Sequence, residues 1–116
     1  MKIKPPTMNR IIFYFILIYS ISINAQQSMN MTLLSVQSYS SDLNDIWGYS
    51  SDNGEYALVG LYDGISVVNI TNPSSPIDLG FYPGPSSMWR DIKTYGGYLY
   101  CINETGGGLQ ILNLEQ

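Results

Sequence analysis

Histidine is absent from this 116-residue chain, and cysteine occurs only once, as Cys101. A lone cysteine excludes an intramolecular disulfide. A catalytic cysteine needs a histidine or another cationic neighbour that lowers its pKa. Cys101 lies in an apolar strand pattern, which predicts a buried and unreactive thiol. The composition therefore argues against cysteine-based catalysis.

Basic residues are scarce beyond the first ten positions. Only Arg90 and Lys93 follow, against nine carboxylates, so the segment from Gln26 onward carries a formal charge of −7. Nucleic-acid binding needs clustered lysine and arginine, and we expect no nucleic-acid partner. The acidic charge favours cations or a basic protein surface as binding partners. The alternative is that this charge simply keeps an exported protein in solution.

Residues 1–25 have the layout of a signal peptide. Basic residues precede an apolar run at 11–19, and Ala25 supplies a small residue at a plausible cleavage position. The run is shorter than the roughly 20 residues of a spanning helix, so an uncleaved membrane anchor is the weaker alternative. We expect a secreted protein, extracellular or on the cell surface, with no stable membrane span after cleavage.

Three pairs of similar segments follow the leader, at offsets of 46, 42 and 44 residues: 45–46 with 91–92, 56–59 with 98–101, and 64–70 with 108–114. A β-rich repeat of this length is typical of one four-stranded propeller blade. A blade cannot bury its faces alone, because neighbouring blades must cover both sides. The repeat therefore predicts an all-β chain of propeller-type blades.

The repeats divide the chain beyond the signal peptide into three predicted segments. Residues 26–44 form a linker with a candidate closing strand at 33–39, residues 45–88 form a first repeat, and residues 89–116 form a second, incomplete repeat. Strands are predicted at 45–49, 56–61, 65–70 and 77–82 in the first repeat, with matching strands from Trp89 onward. Asn53-Gly54 is expected to supply the positive φ that a tight hairpin needs, and a further turn is expected at Gly96-Gly97. We expect the N-terminal part of a longer propeller; the alternative is a complete small domain that closes by self-association.

Two parts of the sequence resemble a known family. The run at 64–80, with its Asn72-Pro73-Ser74-Ser75-Pro76 segment, resembles the LVIVD repeat, and the runs at 44–49 and 83–93 resemble the start of "choice-of-anchor B" proteins. This resemblance implies an exported β-propeller attached to the cell surface by a C-terminal device. It implies no activity, and the aspartate usual in the repeat is replaced by Asn69 and Asn113.

Asp45 and Asp91 occupy equivalent places at the start of the innermost strand of each repeat. In a closed propeller such positions form a ring, where converging carboxylates could bind Ca²⁺. The structural alternative is that each aspartate accepts backbone N–H bonds in its own turn or pairs with Arg90. No other cofactor is expected.

Aromatic side chains and Arg90 are the remaining candidates for a binding site. An aromatic platform for sugar or peptide could use the following residues: Trp47, Tyr49, Trp89, Tyr95 and Tyr98. The alternative is that these rings fill the core between blades. Arg90 is singled out because basic residues are rare here, and its alternative role is an ion pair with Asp91 or Asp45.

No catalytic motif is present in the sequence. We expect a non-enzymatic scaffold that binds an extracellular protein or glycan, through Asp45, Trp47, Trp89, Arg90 and Asp91. One alternative is part of a propeller enzyme, such as a glycan-active hydrolase, with some catalytic acids in further blades. Another is a β module that serves only as a spacer.

Overall fold

The computed structural model describes residues 30–115, so the predicted signal peptide at 1–25 lies outside the described residues. The described part contains seven strands and no helix, hence no helix that could cross a membrane. The strands are β1 (Leu43–Ser51), β2 (Gly54–Leu61), β3 (Gly64–Asn69), β4 (Ile77–Pro83), β5 (Arg90–Tyr95), β6 (Tyr98–Asn103) and β7 (Gln110–Asn113). The all-β prediction is confirmed.

The strands form two antiparallel sheets in which each strand pairs with the next along the chain. The first sheet has the order β1-β2-β3-β4, and the second has the order β5-β6-β7. Alternating apolar residues rich in β-branched and aromatic types favour these strands, and short turns favour the antiparallel meander. The sheets follow the predicted repeats, with four strands in one and three in the other.

Two of the hairpins with two-residue loops, those closed by the pairs Ser51–Gly54 and Tyr95–Tyr98, differ in how they turn. Gly96 and Gly97 have φ of 57° and 78° between the paired residues Tyr95 and Tyr98. Positive φ at both central residues is the requirement of a type I′ turn, so this turn is as predicted. In the first sheet Gly54 has a positive φ of 140°, but Asn53 does not. The expectation of positive φ at Asn53 is therefore wrong: Ser51 pairs with Gly54, so Asp52 and Asn53 are the central residues of this turn, and neither has a positive φ.

Each sheet has two faces, defined by the side on which alternate residues lie. Paired residues share a face, and the register therefore assigns the side chains. We define the front face of the first sheet as the side that carries Asp45, Trp47, Tyr56, Leu58 and Val67. The back face of this sheet is the opposite side, which carries Ile46, Ala57, Val59, Ser66 and Val68. In the second sheet the front face carries Asp91, Lys93, Tyr98, Tyr100 and Ile111, and the back face carries Ile92, Thr94, Leu99, Cys101 and Leu112.

The core lies between the front face of the first sheet and the back face of the second. Its buried members come from both sheets: Leu58, Ile65, Val67, Ile92, Leu99 and Cys101. Burying a side chain such as Leu or Ile contributes about 1.5–3 kcal/mol relative to leaving it exposed. Strand β5 lies against β1 and β2, so the first strand of each repeat is brought next to its counterpart.

The segment 33–39 forms no strand, and the prediction of a strand there is wrong for the described structure. A strand needs a partner for its backbone groups, and this segment instead lies on the back face of the first sheet. Tyr39 packs on Val59, Leu61 and Val68 there, and its hydroxyl lies 3.1 Å from Ser66 Oγ. The Ser35 hydroxyl donates to the carbonyl of Pro73 at 2.6 Å.

Candidate functional site

Four of the five residues proposed from sequence lie on strands β1 and β5, which belong to different sheets. Asp45 and Trp47 lie on β1, Arg90 and Asp91 open β5, and Trp89 immediately precedes β5. Because β5 packs against β1, the structure brings this part of the two repeats together. The side chains nevertheless have different surroundings, which we describe in turn.

Asp45 joins the two sheets. Its Oδ2 atom accepts a hydrogen bond from the backbone N–H of Ile92 at 2.7 Å. A register shift between Leu43 and Asp45 leaves Asn44 outside the regular pairing, and Asn44 Nδ2 donates to the carbonyl of Ser87 at 3.0 Å. A hydrogen bond to a carboxylate is shorter and stronger than one between neutral groups. The expected alternative for Asp45, acceptance of backbone N–H bonds in its own turn, is therefore wrong, because the carboxylate reaches a backbone N–H of the other sheet.

Trp47 is held at the boundary between the sheets. Its indole Nε1 donates to Thr94 Oγ1 at 3.1 Å, and the ammonium of Lys93 lies 4.3 Å from the ring centroid. A cation at this distance over an indole face is attracted by the ring quadrupole. Lys93 also forms an ion pair with Asp91, and both side chains are about half exposed. The sequence did not indicate Lys93 and Thr94 as partners of Trp47, because a comparison of the repeats does not show that β1 and β5 become neighbours.

Arg90 is buried, with 7% of its surface exposed. Its guanidinium donates to the carbonyls of Leu61 at 2.7 Å, of Tyr62 at 3.3 Å, and of Pro85. The predicted ion pair with Asp91 or Asp45 is wrong, since the ion pair formed within residues 30–115 is the one between Lys93 and Asp91. Arg90 thus connects the β2–β3 turn to the segment between the sheets, and its role in binding a ligand stays a prediction.

Cys101 is buried in the core between the sheets, as predicted. Burial raises the pKa of its thiol, and the nearby Arg90 acts in the opposite direction through a hydrogen bond and its charge. Desolvation disfavours the thiolate, which is the nucleophilic form. Cys101 is therefore part of the packing.

The carboxylates proposed for Ca²⁺ have other partners. Asp45 binds the N–H of Ile92, and Asp91 pairs with Lys93. Within residues 30–115 no three side chains of the types His, Cys, Asp and Glu are grouped to hold a metal. A ring of carboxylates needs equivalents from further repeats, and Ca²⁺ binding stays a prediction.

Exposed side chains follow β5 at alternate positions, and we call these four residues the β5 strip: Trp89, Asp91, Lys93 and Tyr95. Trp89 is 68% exposed and Tyr95 is 82% exposed, and the Lys93–Asp91 ion pair lies between them in sequence. Tyr49 and Tyr56 instead pack on the core, with ring centroids 5.9 Å apart. Of the five aromatic residues proposed from sequence, only Tyr49 is half-buried against the core, and the other four are exposed: Trp47, Trp89, Tyr95 and Tyr98.

The chain was compared with protein families, with curated proteins and with solved structures. It matches no family model, no curated protein and no solved structure.

Proposed function

We propose that this chain is part of an exported, non-enzymatic β-propeller of the LVIVD-repeat type, which binds an extracellular protein or glycan at the cell surface. The sequence repeat and the face-to-face packing of two repeated sheets support the propeller architecture. The layout of residues 1–25 supports export.

The observation that carries the binding proposal is the β5 strip. Large aromatic side chains that remain in solvent, next to a charged pair, combine apolar contact area with polar groups that orient a ligand. Trp89 and Tyr95 provide the aromatic area, and Asp91 with Lys93 provides the polar groups. Trp47 extends this surface across the boundary, because Lys93 contacts its ring.

The state of the reactive side chains supports a non-enzymatic role. Asp45 and Arg90 are engaged with backbone groups that hold the sheets together, and Cys101 is packed in the core. Catalytic groups need to reach a reacting atom within hydrogen-bonding distance. The exposed residues of the β5 strip are of types that contact ligands through stacking and charge.

The proposal is tested with the mature chain on arrays of extracellular glycans and of surface proteins. We expect the double substitution Trp89→Ala plus Tyr95→Ala to weaken binding at least about tenfold, the equivalent of 1.4 kcal/mol. Tyr62→Ala is the matched control, since Tyr62 is an exposed aromatic residue outside the strip.

Binding that is unchanged in the double variant would contradict the assignment of the β5 strip. Release of shortened glycans during incubation, detected by mass spectrometry, would favour the alternative of a glycan-active enzyme. For export, the N-terminus of the protein recovered from the producing cells is sequenced, and we expect it to begin at Gln26.

A further inference from the structure

We propose that Asn53 is a site of covalent modification, where its side-chain amide is lost and replaced by a carboxyl group. The reaction is an attack by the backbone nitrogen of Gly54, followed by hydrolysis. Asn53 lies in the turn between β1 and β2, outside the β5 strip. The proposal therefore does not rest on the ligand proposed above.

The residues Asn53 and Gly54 form the only asparagine–glycine pair in the chain. Asparagine is one of the thermolabile residues, and a following glycine has no Cβ atom to hinder the approach of its nitrogen to the asparagine side chain. The fold requires this glycine, because Gly54 has a φ of 140° and a Cβ atom there would clash with Thr71 Oγ1. The reactive pair is thus part of the turn itself.

The Asn53 side chain is exposed and makes no hydrogen bond within residues 30–115. Its contact in the turn is made by the backbone, because Asn53 N donates to Ser51 Oγ at 3.2 Å. Mobility concentrates at exposed loop tips with small and polar residues. The carboxamide is consequently able to rotate until its Cγ atom faces the nitrogen of Gly54.

Other asparagine side chains in the described part of the chain are held in place. Four of them accept, through Oδ1 and at 2.9–3.3 Å, the N–H of the residue two positions later: Asn69, Asn72, Asn103 and Asn113. A fifth, Asn44, donates through Nδ2 to the carbonyl of Ser87 at 3.0 Å. Such hydrogen bonds restrict the side chain, and none of these five residues precedes a glycine. Asn53 thus differs from them both in its neighbour and in its freedom.

The modification proceeds in two steps and needs no reactant besides water. Gly54 N attacks Cγ of Asn53, the Cγ–Nδ2 bond breaks, and ammonia leaves with the proton released by the Gly54 nitrogen. The product is a five-membered succinimide ring. Water then opens this ring at one of its two carbonyl carbons. Opening at Cγ gives aspartate, whereas opening at the backbone carbonyl carbon gives isoaspartate, in which the main chain runs through Cγ.

The turn controls how fast the Gly54 nitrogen reacts. Gly54 forms the closing pair of the hairpin with Ser51, so its nitrogen becomes available when this end of the hairpin opens. Segments with few buried apolar contacts open at a lower free energy than the core does, and Asp52 and Asn53 are both exposed. The hydrogen bond from Asn53 N to Ser51 Oγ opposes this opening, and it therefore slows the reaction.

The two products differ in their effect on the hairpin. Both add a negative charge between Asp52 and Glu55, where like charges repel. Isoaspartate also lengthens the main chain by one methylene group inside the two-residue loop. Because loop length fixes the register of a hairpin, isoaspartate disturbs the pairing of Ser51 with Gly54. Modification is therefore expected to loosen the end of the first sheet that carries this turn.

The test is incubation of the full chain at mildly alkaline pH in water labelled with heavy oxygen, followed by digestion in ordinary water and peptide mass spectrometry. We expect the peptide that contains residues 52–55 to take up one labelled oxygen and to separate into isoaspartate and aspartate forms. The peptides that contain Asn72 and Asn103 should stay unmodified at these residues.

Asn53→Gln is the matched control, since the longer side chain would have to form a six-membered ring, which closes more slowly. Wild type should react at least about tenfold faster than this variant, a difference of about 1.4 kcal/mol in activation free energy. Because Asn53 lies in an exposed turn, the variant is expected to fold as wild type does.

A second pair of variants tests the dependence on the turn. Ser51→Ala removes the acceptor of the Asn53 N–H and should raise the rate of modification by about two- to tenfold, the effect of losing one hydrogen bond. Ser50→Ala is its control, because Ser50 is the exposed neighbour of Ser51 in β1, and it should react at the wild-type rate.

The proposal is overturned if no labelled oxygen enters residues 52–55, or if Asn72 or Asn103 is modified as fast as Asn53. Equal rates in wild type and Asn53→Gln, or in Ser51→Ala and Ser50→Ala, would overturn it as well.

Discussion

The two sheets carry the same pattern of residues but differ in what covers them. The first sheet has the second sheet on its front and Tyr39 on its back, whereas the second sheet is covered on its back alone within residues 30–115. Equivalent side chains are consequently buried in one sheet and exposed in the other, as Val67 and Ile111 illustrate. Burial in a repeat protein is therefore set by neighbours as much as by sequence.

The largest expected difference between the sheets comes from truncation at Leu58 and at Tyr100. Leu58→Ala removes a side chain with no exposed surface and should lower the free energy of unfolding by about 3–4 kcal/mol. Tyr100→Ala, at the equivalent and partly exposed position, should cost about 1 kcal/mol, because less apolar area is lost. Denaturant unfolding in dilute solution measures both. Equal losses would mean that the front face of the second sheet is covered in solution.

The two basic residues of β5 allow the two faces of the second sheet to be compared. Arg90→Lys should cost about 2 kcal/mol, since an ammonium cannot reproduce the fork that reaches the carbonyls of Leu61, Tyr62 and Pro85. Lys93→Arg should change stability by less than about 0.5 kcal/mol, as for other exposed substitutions. Thermal unfolding of both variants gives the values, and a larger effect at Lys93 would contradict the expectation.

The equivalent aspartates should also differ. Asp45→Asn weakens the hydrogen bond to Ile92 N and is expected to lower the free energy of unfolding by about 1 kcal/mol. Asp91→Asn removes an exposed ion pair with Lys93, for which about 0–0.5 kcal/mol is expected. The difference between the two variants in urea unfolding checks the assignment of Asp45 to the boundary. This assignment is contradicted if Asp91→Asn lowers the free energy of unfolding more than Asp45→Asn does.

The smallest effect is a pH dependence at Cys101. Burial raises the pKa of this thiol in the folded state, so the folded protein binds the proton more tightly than the unfolded chain. The resulting stability is fully present below the ordinary thiol pKa of about 8.5 and is lost as the pH rises through the higher folded value. Cys101→Val introduces the residue found at the equivalent position, Val59.

This variant should retain more of its neutral-pH stability at alkaline pH than wild type does. Unfolding curves of both proteins at pH 7 and above pH 9 provide the measurement, and tyrosine ionisation cancels in the comparison because the tyrosines are the same. Identical pH profiles would show that the thiol makes no contribution.

The strands and their pairing order could be predicted because they depend on local patterns. Alternating apolar residues and the Gly96-Gly97 turn are signals that extend over only a few positions, and each strand pairs with its neighbour in the same hairpin. Each predicted strand of the first sheet overlaps an observed one, from 45–49 within β1 to 77–82 within β4. The predicted burial of Cys101 follows from the same alternation.

The candidate site was less predictable, because its geometry depends on contacts between the sheets. Arg90 binds carbonyls 28 and 29 residues earlier in the chain, and no spacing rule indicates such a contact. The same holds for Trp47 with Thr94. The segment 33–39 has a strand-like pattern but lacks a partner strand, and pattern alone does not reveal whether a partner is present.

Two main-chain hydrogen bonds hold the segment between the sheets, in addition to the side-chain bonds of Arg90 and Asn44. Gly84 N donates to the carbonyl of Asp63, and Ser87 N donates to the carbonyl of Tyr62, at 2.9 and 2.8 Å. These bonds do not depend on the identity of the side chains at the four positions. The angle between successive sheets can therefore persist while the core residues drift during evolution. Such a joint lets repeats diverge in sequence and still fit into one superstructure.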